Sequence, residues 1–153
     1  MATKETTVER TVVIDAPAEV IWKALNSKGL DNLQLLRSHE DMQLQEGSEL
    51  VWFDREDAGE VPRLKGRITV LAPPRRIAYM AFMPSTKLPD LPENYTAVDI
   101  TLHPEDDGLT TVTVNHGDFA AFRHGTRLAR EAGDHWVDVL IRLKDLVERE
   151  KAA

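Results

Sequence analysis

The sequence predicts an α+β protein: a curved antiparallel sheet of about seven strands wrapped around a long C-terminal helix, with two short helices after the first strand. Three observations carry this. First, Leu128, Ala132, Trp136, Val139, Leu140, Leu143, Leu146 and Val147 recur every three or four residues, so a helix over about 126–150 has one apolar stripe. At 1.5 Å per residue it would be roughly 36 Å long. Second, segments before it alternate apolar and polar residues, the pattern of half-buried strands. Third, short turn sequences join most of these segments, which makes the sheet antiparallel. A long amphipathic helix closing a mostly β chain needs a sheet to lie on, and the sheet's apolar face needs a cover.

The elements follow in order. Val8–Ile14 is rich in β-branched residues and reads as a strand. Asp15-Ala16-Pro17 breaks it, and Pro17 and Glu19 suit the first turn of a helix carrying Val20, Ile21, Ala24 and Leu25. Leu30, Leu33 and Leu36 suggest a second short helix. Strands follow at about 40–45, at Leu50–Phe53 with Trp52, at 63–70 with Leu64, Gly66, Ile68 and Val70 in one phase, and at Ile77–Met83 with Tyr79. Residues 54–60 read as a loop. Both phases of the Ile77–Met83 strand are apolar, which leaves its inner face open. Pro84–Asn94, with three prolines, is a loop. Val98, Ile100 and Leu102 mark the next strand, and Val112, Val114 and His116 the last. Between them Gly108 is the expected positive-φ residue. Phe119–Gly125 leads into the final helix.

The 153 residues suit one domain over 1–153, large enough to bury a core unaided. A net charge of −7 argues against nucleic acid as a partner. No run of 18 apolar residues spans a membrane, and residues 1–6 lack a signal-peptide core. With no cysteine there is neither disulfide nor thiolate chemistry, which fits a cytoplasmic location. The histidines His39, His103, His116, His124 and His135 do not match a zinc motif, and no serine sits in a nucleophile elbow. No metal or cofactor is therefore expected.

In their order along the chain, several stretches resemble the START-like, or helix-grip (SRPBCC), superfamily. They are Val12-Val13-Ile14-Asp15-Ala16-Pro17 running into Val20-Ile21-Trp22, Pro73-Pro74-Arg75-Arg76-Ile77, Leu91-Pro92-Glu93-Asn94-Tyr95, and Trp136 followed by Leu140, Leu143 and Leu146. Within it they are most similar to the activator-of-Hsp90-ATPase-homologue-type, polyketide cyclase-like branch. Family members often place glycine directly before the helix tryptophan; here His135 stands there and the glycine is Gly133. The resemblance implies a helix-grip fold with a cavity between sheet and C-terminal helix for an apolar or mixed small molecule. It transfers no reaction. An Hsp90-stimulating role is not expected, because the eukaryotic co-chaperones carry a further N-terminal domain.

Trp52, Tyr79, Ile100, His116, Phe119 and Trp136 are the candidate ligand-binding residues. Each also has a plain packing role. His116 continues the phase of Val112 and Val114 toward the helix, so it is either a hydrogen-bonded core histidine or a polar anchor, acid or base, with Asp118 as a possible partner. A binding protein is expected ahead of an enzyme of cyclase, dehydratase or hydrolase type, which would need a second polar group beside His116. An interaction module is the third reading, suggested by the positive row Arg63, Lys65, Arg67, Arg75 and Arg76. Either a monomer or a homodimer fits.

Overall fold

A computed structural model describes residues 5–25, 45–56, 59–82 and 87–152. Its elements are β1 (Val8–Ile14), α1 (Ala18–Leu25), β2 (Glu49–Glu56), β3 (Gly59–Ala72), β4 (Arg76–Phe82), β5 (Thr96–Pro104), β6 (Thr110–Gly117) and α2 (Gly125–Ala152). The strands form one antiparallel sheet in the order β1-β6-β5-β4-β3-β2. β2 to β6 are successive neighbours, and β1 closes onto β6. This is the helix-grip arrangement, with six strands among the described residues. The helix expected near Leu30–Leu36 and the strand near 40–45 fall outside them.

Period-two alternation sets the faces. Val8, Ile14, Val112, Val114, Val98, Ile100 and Leu102 are all buried on the side that α2 covers, and join one core with Leu143, Val139 and Val147. α2 lies against β1, α1 and β6. β1 and β4 show why the two readings of their faces differed. β1 alternates cleanly. β4 buries both phases because Phe82, on the outer face, is covered by Tyr95 from the segment before β5, with ring centroids 5.4 Å apart. Register then resolves β4: Tyr79 pairs with Val98 and Ile77 with Ile100, so Ile77, Tyr79 and Ala81 face inward.

Side chains from α2 finish the open edge of β1. Lys144 Nζ donates to Val13 O at 2.8 Å, and Glu148 Oε2 accepts from Asp15 N at 3.0 Å. Lys144 and Glu148 also bond each other at 2.7 Å. Backbone groups that could pair with another strand are thereby occupied. The Asp15 amide, then Lys144, hold the Glu148 carboxyl below its ordinary pKa. At the same end, Thr110 Oγ1 donates to Ala16 O at 2.7 Å inside the core, fixing the turn into α1. There Pro17 O accepts from Val20 and Ile21.

Three details differ from the sequence expectation. Residues 54–56 and 59–60 continue β2 and β3 as a long hairpin where a loop was expected, because pairing extends past the apolar stretch to Glu56 and Gly59. The β5–β6 turn is a short 3-10 turn in which Asp107 (φ 65°) shares the positive-φ role with Gly108 (φ 80°). Aspartate tolerates this region better than most residues. Third, α2 runs 28 residues, from Gly125 to Ala152.

Gly133 and Gly117 each fit close neighbours. A Cβ on Gly133 would collide with the guanidinium of Arg10, which crosses from β1 beneath the helix. A mid-helix glycine costs about 1 kcal/mol relative to alanine; here it makes room for a charged group at the sheet–helix seam. Gly117, which ends β6, has φ 142°, and a Cβ there would meet Thr6 O at 3.2 Å. Gly117→Ala is therefore expected to destabilise the fold by about 1–3 kcal/mol. Urea unfolding checks this, as a lower midpoint with an unchanged m value.

Candidate functional site

β6 presents His116 inward because it follows Val112 and Val114 in phase. Across the sheet His116 shares one row with Val98 on β5, Tyr79 on β4 and Ile68 on β3. With strands about 4.8 Å apart, His116 and Tyr79 stand roughly 10 Å apart at the backbone, with Val98 between. Ile100 lies in the next row, paired with Ile77 and Val114. α2 lowers Trp136 onto this surface, and the β6–α2 junction adds Phe119, whose amide donates to Thr6 O at 2.8 Å. Tyr79, Ile100, His116, Phe119 and Trp136 are all buried, at 3% exposure or less. Trp52 sits on β2 at the register position opposite Leu64.

The aromatic groups pack around the histidine. The Phe119 ring lies 5.0 Å from His116 by centroids, and the Trp136 ring stands edge-on to it at 6.3 Å. Phe122 closes against Phe119 at 5.7 Å.

Hydrogen bonding fixes the state of His116. Trp136 Nε1–H donates to His116 Nδ1 at 3.1 Å. An indole N–H can only donate, so Nδ1 must carry a lone pair. The neutral ring then holds its proton on Nε2, 2.7 Å from Thr96 Oγ1, and donates it there. The Thr96 hydroxyl proton is left to point at Ala81 O, a long contact of 3.5 Å. The relay runs one way, from α2 through β6 and β5 to β4. Burial, then the nearby His135, pushes the His116 pKa down to about 4.

This arrangement bears on the acid or base role. Asp118, the partner considered from sequence, uses Oδ1 to accept from Ala120 N at 2.8 Å in an exposed turn. The buried partner is Thr96, which the sequence reading missed. Its signal was present: Thr96 continues the inward phase of Val98, Ile100 and Leu102, and a threonine in such a phase needs a bond.

Tyr79 is the contrasting group. Its hydroxyl is fully buried yet has no hydrogen-bond partner among the described residues. Burial pushes its pKa well above the ordinary tyrosine range, so it stays a neutral phenol. A buried hydroxyl left unpaired costs about 1–3 kcal/mol, and such groups are rare in native folds.

Three cations of the positive row are paired, and the side chain of Arg63 lies outside the described ones. Lys65 pairs with Asp90, Arg67 with Glu49 at 3.2 Å, and Arg76 with Asp99 at 2.6 Å. Asp90 also accepts from Tyr95 Oη at 2.5 Å, which ties the segment before β5 to the sheet. An open cleft of about 480 Å³ lies beside this tie, floored by Met80 and walled by Pro92 and Tyr95. Its charged groups Lys65, Asp90, Arg67 and Glu49 already satisfy one another. Among the described residues no group of three or more metal-ligating side chains stands together, and no helix is long and apolar enough to cross a membrane.

A known family matches most of the chain. The model of the activator of Hsp90 ATPase homolog 1-like proteins matches residues 15–148. The chain belongs to this family. Among solved structures of similar fold is ChR145 from Cytophaga hutchinsonii, at 26% identity and TM-score 0.73, covering 100% of this chain and 99% of that one. The Aha1 dimer of Colwellia psychrerythraea is similar at 19% identity and TM-score 0.62, covering 93% and 96%. CalU16 of Micromonospora echinospora is similar at 19% and 0.62, covering 95% of this chain and 78% of its own. No curated protein sequence matches the chain.

The His116 state generates a pH prediction. The folded-state pKa, about 4, lies below the ordinary 6.5, so the native state favours the neutral ring. The stabilisation is complete above pH 6.5 and is lost as pH falls toward 4. At about 1.4 kcal/mol per factor of ten, the loss is about 3 kcal/mol. Unfolding free energies between these pH values should fall by about that much more in the wild type than in His116→Gln, which cannot titrate.

Proposed function

We propose that the chain is a small-molecule binding protein that holds an apolar or mixed ligand between the sheet and α2. The observation that carries this is the Tyr79 hydroxyl, neutral, buried on the inner face and unpartnered. A bound molecule supplies the partner that the protein does not. Tyr79, Ile100, His116, Phe119 and Trp136 are the residues assigned to the chamber, and Trp52 joins them as a candidate on β2. Family membership supports the reading, since the sheet–helix interior is where the resemblance places a ligand.

Binding is favoured over catalysis by the relay. A general base needs a free lone pair aimed at substrate. His116 spends its lone pair on Trp136 and its proton on Thr96. Its role in this reading is to fix the chamber wall. The interaction-module reading is weaker for a similar reason: three of the outer cations, Lys65, Arg67 and Arg76, are matched by Asp90, Glu49 and Asp99. The expected location is cytoplasmic, with a single domain over residues 1–153.

Tyr79→Phe tests the reading. In ligand-free protein the variant loses only an unsatisfied hydroxyl, so its melting temperature should equal or exceed that of the wild type, by up to about 1 kcal/mol in stability. Protein denatured directly after purification should release a small molecule detectable by mass spectrometry, and less of it from Tyr79→Phe. A variant destabilised by a kcal/mol or more, with nothing released from either protein, would mean the hydroxyl is bonded within the core and the reading is wrong.

A further inference from the structure

We infer that the molecule held against Tyr79 is uncharged and presents one hydrogen-bond acceptor, of the ketone or ester carbonyl class, on an otherwise apolar body. This deepens the proposed function and rests on it.

The argument starts from what surrounds the hydroxyl. The cross-sheet neighbours of Tyr79 are Ile68 and Val98, and along β4 the inward residues beside it are Ile77 and Ala81. The other polar groups on the described inner face are closed: Thr96 and His116 bond each other, Trp136 bonds His116, and Thr110 bonds Ala16 O. Among the strand residues whose side chains are described, Arg10 is the one cation turned toward α2. It stands on β1, three strands from β4, with its guanidinium over Gly133 and Nη1 bonded to Glu9 O at 2.9 Å. At about 4.8 Å per strand the backbone separation is roughly 14 Å.

These facts select among ligands. A phenol is a good donor and stays protonated here, so an acceptor is the natural partner. A carboxylate would accept more strongly. Yet burying it with one hydroxyl and no described cation nearby leaves most of its desolvation uncompensated, and that penalty is the larger effect. A hydrocarbon enters without penalty but leaves the hydroxyl unpaired. A neutral carbonyl satisfies the hydroxyl and adds no charge. Sites built to bond a polar group discriminate against analogues that lack it.

The test uses three probes of one shape: 2-acetylnaphthalene, its hydrocarbon isostere 2-isopropenylnaphthalene, and 2-naphthoate. Each is titrated into the full chain at pH 7, as wild type and as Tyr79→Phe, with melting temperatures recorded to show that both are folded. The ketone is expected to bind the wild type about tenfold more tightly than the hydrocarbon, a difference of about 1.4 kcal/mol. Tyr79→Phe should remove that difference by weakening the ketone alone, and naphthoate should bind most weakly. If ketone and hydrocarbon both bind but Tyr79→Phe leaves their ratio unchanged, this inference is overturned while the binding reading stands. Tightest binding by naphthoate likewise overturns the uncharged class. If none of the three binds either protein, the proposed function falls, and the inference with it.

Discussion

The donation from Trp136 Nε1 to His116 Nδ1 is the constraint on which the interior depends. It joins the helix to the sheet inside the core, side chain to side chain. Because indole can only donate, one 3.1 Å contact sets the tautomer of the histidine, the direction of the Thr96 bond and the orientation of the Thr96 hydroxyl. It also disfavours the imidazolium, since a second ring proton would face the indole N–H. A buried polar chain of this kind is stabilising only when every member is satisfied. Here the members are, from α2 to the β4 backbone at Ala81.

The relay gives the neighbouring hydroxyl its meaning. His116 and Tyr79 share one cross-sheet row, with Val98 between them. One is fully committed to the protein and the other has no partner among the described residues. Such an asymmetry within a single row is hard to assign to packing, which would favour phenylalanine at position 79. The proposed ligand, bonded to this one open donor, would account for it. On that proposal His116, Trp136 and Phe119 would stand as one wall beside a single polar contact that orients an apolar molecule.

Much of this was legible in the sequence. Strand β1 and the α2 stripe were readable because period two and period 3.6 are set directly by which faces are buried. The inward phase of His116 followed from Val112 and Val114. The inner face of β4 was not legible, because Phe82 is buried by Tyr95 from the segment before β5, and a sequence pattern does not reveal a cover on the second face. Closeness in sequence left Asp118 open as a partner of His116, whereas the hydrogen-bonded partner came from the adjacent strand. Gly133 leaves room for the Arg10 guanidinium across the seam, a contact no sequence pattern reveals. The lone hydroxyl of Tyr79 could not be read from sequence at all, because the absence of a partner is a three-dimensional fact.

The most direct test of the account is the protonation state of His116 in the folded chain, read from a long-range proton–nitrogen correlation spectrum of the imidazole at pH 7. The account expects a neutral ring with the proton on Nε2, a bare Nδ1, and a Trp136 indole proton slow to exchange. A ring protonated at Nδ1, or doubly protonated at that pH, would contradict it: the bond to Trp136 would not exist, His116 would be free for other chemistry, and Tyr79 would no longer be the one open polar group on the described inner face.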